Sequence, residues 1–177
     1  MEIKFRKLKA NEIDCRIGTT SEKGLSLLLY KDARVDMTIL DETVGAMNWK
    51  REHTRDNQNC IVSIYDSDKK EWVGKEDVGT QSNTEAEKGL ASDSFKRACV
   101  NWGIGRELYS APFIWVKRED ANIIMSGNGK YRCNDKFAVL RLTYNKAGDI
   151  DGLAISNTKT GKMVFCAMPK ELKNDKA

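Results

Sequence analysis

Glu76-Asp77-Val78-Gly79, followed after a polar link by Ser92-Asp93-Ser94-Phe95-Lys96-Arg97-Ala98 and closed by Trp102-Gly103, decides how this 177-residue chain is read. The second part has helical periodicity. Leu90, Ala91, Phe95, Ala98, Cys99 and Trp102 recur at intervals of one, three and four, which gathers them into one stripe at about 100° per residue. Thr84 and Glu87 have capping-box spacing, and Glu85 and Glu87 suit the dipole of that end. Gly103 and Gly105 end the run. On this wheel Lys96 and Arg97 fall roughly 130° to either side of the stripe's centre, so both lie on the polar face. Spacing alone makes them an ordinary solvated pair, because charge on the outer side of a helix is the norm.

Working outward, Trp49 to Arg55, Cys60 to Asp66 and Glu71 to Gly79 alternate in character, separated by Asp56-Asn57 and by Ser67-Asp68-Lys69-Lys70. This predicts a three-stranded meander. Upstream, Asp32 caps a predicted helix over Arg34 to Met47, and Ile13 to Ile17 and Gly24 to Tyr30 read as extended. Downstream, Phe113 to Val116 follows Pro112 as a strand and Ser126-Gly127-Asn128-Gly129 marks a turn. Lys136 to Asn145 and Asp151 to Ala167 form a second strand group, with Lys159-Thr160-Gly161 at a hairpin tip. The order predicts an α+β fold: an antiparallel β-meander packed on a long amphipathic helix, with an additional C-terminal β-hairpin region. Residues 1–168 read as a single domain and 169–177 as a short charged tail. A sheet of so few strands has two open edges, for which self-association is a natural cover.

Composition narrows the function classes. Lys and Arg number 30 against 26 Asp and Glu, a net charge of +4, so attraction for a polyanion has to come from local clustering. Cys15, Cys60, Cys99, Cys133 and Cys166 are scattered without Cys-x-x-Cys spacing, and His53 is the lone histidine, which argues against zinc. Cys99 falls on the helix stripe and Cys60 and Cys166 in apolar runs, as packed, reduced thiols of a cytoplasmic protein. No targeting segment or membrane span is visible. Thr160-Gly161-Lys162-Met163 lacks the glycine and hydroxyl of a Walker loop, and Gly103-Ile104-Gly105 follows a helix and not a strand, so no nucleotide cofactor is expected. A metal-dependent nuclease would have to draw on Asp66, Asp68, Glu71, Glu76 and Asp77, acids with Lys69, Lys70 and Lys75 beside them. A plain structural or interaction subunit of a phage is the remaining alternative. The expectation is a binding protein, not an enzyme.

Glu76-Asp77-Val78-Gly79, the Ser92-Asp93-x-Phe95-Lys96-Arg97-Ala98 helix, and Arg34 leading a helix into Val44-Gly45 and Trp49 together resemble the DNA-binding domain of the Rad52 family of single-strand annealing proteins, to which the Sak-like phage recombinases belong. The resemblance spans about Asp32 to Gly105. It implies a ring-forming, nucleotide-independent homo-oligomer, of phage or prophage origin, that binds single-stranded DNA and anneals complementary strands in homologous recombination. A host single-strand-binding protein is a candidate partner. Lys96 and Arg97 match helix cations that contact the DNA backbone, and Arg34 a basic residue that joins them at the inner groove. Where family members often carry another cation one turn after the lysine, this chain has Val100, and Lys50, Arg51 or Arg55 on the first meander strand are candidates to replace it.

Annealing requires phosphates gripped by cations while base edges stay free, so Lys and Arg should dominate the site. On a strand, Arg51, His53 and Arg55 share one face over ~14 Å while Lys50 points away. Trp49, Tyr65, Trp72, Tyr109 and Trp115 are available for base stacking, although Trp49, Tyr65 and Trp72, among apolar neighbours, read first as core.

Overall fold

The computed structural model describes residues 2–80 and 86–169, leaving aside the side chains of 86–88. The Thr84–Glu87 capping box and the tail beyond Pro169 lie outside the described residues. In chain order the regular elements are β1 (Asp14–Thr20), β2 (Gly24–Tyr30), α1 (Ala33–Val44), β3 (Trp49–Thr54), β4 (Asn59–Asp66), β5 (Glu71–Val78) and α2 (Ala86–Trp102). Then follow β6 (Ile114–Lys117), β7 (Ile123–Met125), β8 (Tyr131–Cys133), β9 (Phe137–Tyr144), β10 (Ile150–Asn157) and β11 (Met163–Ala167). They fall into two compact units, one of residues 1–7 and 32–106, the other of 8–31 and 107–177.

The expected fold class is overturned. Among the described residues strand exceeds helix, and the largest sheet is a nearly closed, barrel-like one of six strands, not a meander on a long helix. The order β11-β10-β9-β1-β2-β6 is antiparallel throughout and places Asp14 of β1 opposite Ala138 of β9. Periodicity is a local signal and carries no information about pairing between strands so far apart in sequence. The inner face is set by alternation: Leu25 and Leu27 of β2 and Ile114 and Val116 of β6 point in, joined by Phe137, Leu153 and Ile155. Trp115 and Lys117 alternate outward. The separate pair β7 and β8 turns through Ser126-Gly127-Asn128-Gly129, with Gly129 at φ +77°.

In the other unit, α1 starts where Asp32 Oδ1 accepts a hydrogen bond from the Arg34 backbone N at 2.8 Å. It stops at Gly45, whose φ of +86° suits glycine. Strands β3, β4 and β5 form a second antiparallel sheet with β4 central. Register puts Trp49, Arg51 and His53 of β3, Cys60, Val62 and Ile64 of β4, and Val73, Lys75 and Asp77 of β5 on one face. Helix α2 covers that face. Phe95, Ala98 and Cys99 are fully buried there, and Trp102 Nε1 donates to the Val62 carbonyl at 2.8 Å. Among the described residues no helix is long and apolar enough to cross a membrane.

Candidate nucleic-acid interface

Asp93, Arg97 and Asn101 stand four residues apart and therefore form one row along α2. Each reaches the β5 edge. Asp93 Oδ2 accepts from the Thr80 backbone N at 3.0 Å, Arg97 Nε donates to Asp77 Oδ1 at 3.3 Å, and Asn101 Nδ2 donates to the Glu76 carbonyl at 2.9 Å and to Asp77 Oδ2 at 3.2 Å. Lys75 extends the row, its Nζ donating to the Asn101 carbonyl at 2.9 Å and lying 4.5 Å from the Trp102 ring centre. Gly79 closes it. A Cβ there would stand 2.6 Å from Ser94 N and 2.7 Å from Leu90 O, so only glycine lets the end of β5 lie directly on the helix backbone. The buried Ser94 hydroxyl donates to Asn57 O (3.1 Å) or Ala91 O (3.2 Å), tying the β3–β4 turn to the same helix.

The six predicted cations occupy different settings in this unit. Lys96 is half-buried on α2 and forms no ion pair among the described residues; Arg97 is exposed and paired with Asp77. Arg34 is exposed in the first turn of α1, which packs against α2. Lys50 and Arg51 point to opposite faces of the sheet. Arg51 lies on the helix-facing side with its guanidinium carbon 4.8 Å from the Phe95 ring centre, whereas Lys50 is on the outer side, paired with Glu52 at 2.8 Å and 5.2 Å from the Trp72 ring centre. Arg55 is not on the strand. It opens the turn after β3 at φ +50°, followed by Asp56 at +53° and Asn57 at +69°, three consecutive left-handed residues.

Other readings change as well. Trp49 does pack inward, half-buried and stacked on Phe95 with centroids 6.1 Å apart, but Trp72 is an exposed ring on the outer sheet face, tilted against Tyr65. Cys60 and Cys99 are buried, Cys166 is exposed, and burial pushes the Cys60 thiol up to about 11. Four of the five acids considered for a nuclease are engaged separately: Asp66 caps the backbone of Asp68 and Lys69, Glu71 pairs with Lys69, Glu76 accepts from Asn59 Nδ2, and Asp77 holds Arg97. Burial and the neighbouring Arg51 hold His53 below its ordinary value. Sequence reasoning passed over Asp77 as the partner of Arg97, and Asn101 and Lys75 as members of the same row. The four-residue spacing of Asp93, Arg97 and Asn101 was the available signal; what stood opposite them depends on the β5 register.

Strand β5 and helix α2 lie within a stretch that has known relatives. Residues 57–123 match the Rad52/22 family of double-strand break repair proteins. The single-stranded DNA-binding protein DdrA of Deinococcus radiodurans is 43% identical over 51 residues, amounting to 28% of this chain and 24% of DdrA. The chain thus aligns with about a quarter of that relative's length. No solved structure matches. The family match contains Glu76-Asp77-Val78-Gly79 and the whole of α2 with Lys96 and Arg97, while Arg34, Lys50, Arg51 and Arg55 precede it. The resemblance read from the quoted stretch therefore holds over the part it shares with that match: residues 57–123 of this chain are similar to the Rad52/22 family.

Proposed function

We propose that this chain binds single-stranded DNA by its sugar-phosphate backbone and anneals complementary strands without nucleotide hydrolysis, in recombination or double-strand break repair. The observation that carries the reading is the placement of Lys96 and Arg97 on the one helix that the Rad52/22-family match covers completely. Both side chains belong to α2, a rigid element fixed to its sheet by Gly79, Ser94 and the Asp93-Arg97-Asn101 row. Cations on a fixed frame can grip successive phosphates without reading bases. Arg34 on the neighbouring helix, and Lys50, Arg51 and Arg55, are further contacts in this reading. Arg51 already rests on Phe95, so its contribution is the smaller. The protein acts as a homo-oligomer, because a three-stranded sheet ends in two edges that an adjoining copy can cover.

Mixing labelled complementary oligonucleotides with the protein, without nucleotide and with magnesium present, tests this directly. Accelerated duplex formation with both strands intact is expected, accompanied by a solution mass above the 20.0 kDa of one chain. Cleavage of either strand, or a reassociation rate equal to that of naked DNA, would contradict the proposal.

A further inference from the structure

We infer that Asp77 is a positioning residue for phosphate capture: its carboxylate holds Arg97 at Nε and leaves the two terminal guanidinium nitrogens as donors for the bound strand. The inference rests on the single-strand-binding reading above. The carboxylate is itself fixed from three sides. Oδ1 accepts from the Val78 backbone N at 2.7 Å as well as from Arg97 Nε, and Oδ2 accepts from Asn101 Nδ2, whose amide is anchored in turn on the Glu76 carbonyl. Asp77 also stands opposite the fully buried Cys60 of the central strand, so its backbone is held in the ladder.

Arg97 is treated asymmetrically by this arrangement. Its Nε is engaged, yet neither terminal nitrogen has a hydrogen-bond partner among the described residues, and 46% of the side chain remains exposed. A guanidinium is a planar fork of five donors, so fixing Nε fixes the direction in which the other four protons point. An exposed ion pair contributes little to folding. What it supplies is preorganisation: a long side chain that would otherwise lose rotamer freedom on meeting a phosphate has already lost it. Lys96, one residue earlier, has no such carboxylate partner among the described residues and meets a phosphate as a point charge.

The alternative role for the same carboxylate is competition, in which Asp77 neutralises Arg97 and has to be displaced by phosphate. Fluorescence anisotropy of a labelled thymidine oligonucleotide, measured across a salt series, separates the two. Arg97→Ala should lower the log-log salt slope by roughly 0.7, one phosphate contact. Asp77→Ala should instead weaken binding with the slope near that of the wild type, because the released guanidinium still reaches a phosphate but loses rotamer freedom in doing so, and in the Arg97→Ala background the same change should weaken binding no further. Asp77→Asn, which keeps an oxygen acceptor and removes a charge, should retain the wild-type slope and bind at least as tightly. Asp77→Glu keeps the charge but moves the carboxylate by one methylene, so it should weaken binding; it also serves if Asp77→Ala fails to give a cooperative thermal melt. Additive losses in the double variant, a tighter Asp77→Ala, or a wild-type Asp77→Glu would overturn the assignment while leaving the binding site in place. An unchanged slope in Arg97→Ala would instead remove Arg97 from the site, and the role of Asp77 with it.

Discussion

Gly79 sits where a side chain has no room. The atoms a Cβ would meet are backbone atoms of α2, at 2.6 and 2.7 Å, and helix backbone cannot move aside as a flexible side chain would. Gly79 N also donates to the Gln58 carbonyl at 2.8 Å, so the chain cannot drift away without losing that bond. Gly79→Ala should therefore destabilise the protein by about 1–3 kcal/mol, the usual range for overpacking, read as a lower urea midpoint with unchanged m. An unaltered midpoint would mean that strand and helix separate more easily than this contact implies. At this scale the sequence was informative about type and silent about partner. The glycine after Asp77-Val78 and the serine before Phe95 were visible as a motif, but that Gly79 and Ser94 touch each other follows only from the docking of β5 on α2. Trp72 and Cys166 were misplaced for a related reason: apolar neighbours in sequence indicate a strand, not which of its two faces is covered.

At the scale of elements, the helix-facing side of β3 carries an unusual charge burden. Trp49, Arg51 and His53 all turn toward α2, and the Arg51 guanidinium rests on Phe95 while the imidazole lies 3.5 Å from the Ser94 hydroxyl. Burial first, then Arg51, holds the His53 imidazole below its ordinary value, against the opposing backbone contact at Asn59. The folded chain thus takes up this proton less readily than the unfolded chain. The stabilisation is fully present above the unfolded value of about 6.5 and is lost as pH falls toward the folded one. Urea titrations at about pH 7.5 and about pH 5 should show lower stability in acid, with a smaller drop in His53→Asn. An equal drop in the variant would place the acid sensitivity elsewhere. The existence of β3, β4, β5, α1 and α2 was legible because each has a clean period and a punctuated end, such as Asp32 before α1. Arg55 was not, because continuing the strand pattern by one residue missed the three left-handed residues that begin the turn there.

At the scale of the whole molecule, the strands outnumber what any local reading assembles into one sheet. β1 and β2 were recognisable as extended segments, yet they complete a six-stranded sheet only through partners in the second half of the chain, β9 and β6. Such pairings are decided by packing of Leu25, Ile114, Leu153 and their neighbours, which hydrophobic alternation permits but does not specify. This correction leaves α2 and the β5 edge untouched, and both lie inside the stretch that matches the Rad52/22 family. In the function proposed above, Lys96 and Arg97 hold phosphates. Single-strand binding by Lys96→Ala/Arg97→Ala, followed by anisotropy from low to moderate salt, tests that claim most directly. The account predicts weaker binding to every sequence and a log-log slope shallower by roughly 1.4, two contacts at about 0.7 each. A variant that binds more weakly with the wild-type slope, or binds as the wild type does, would contradict it.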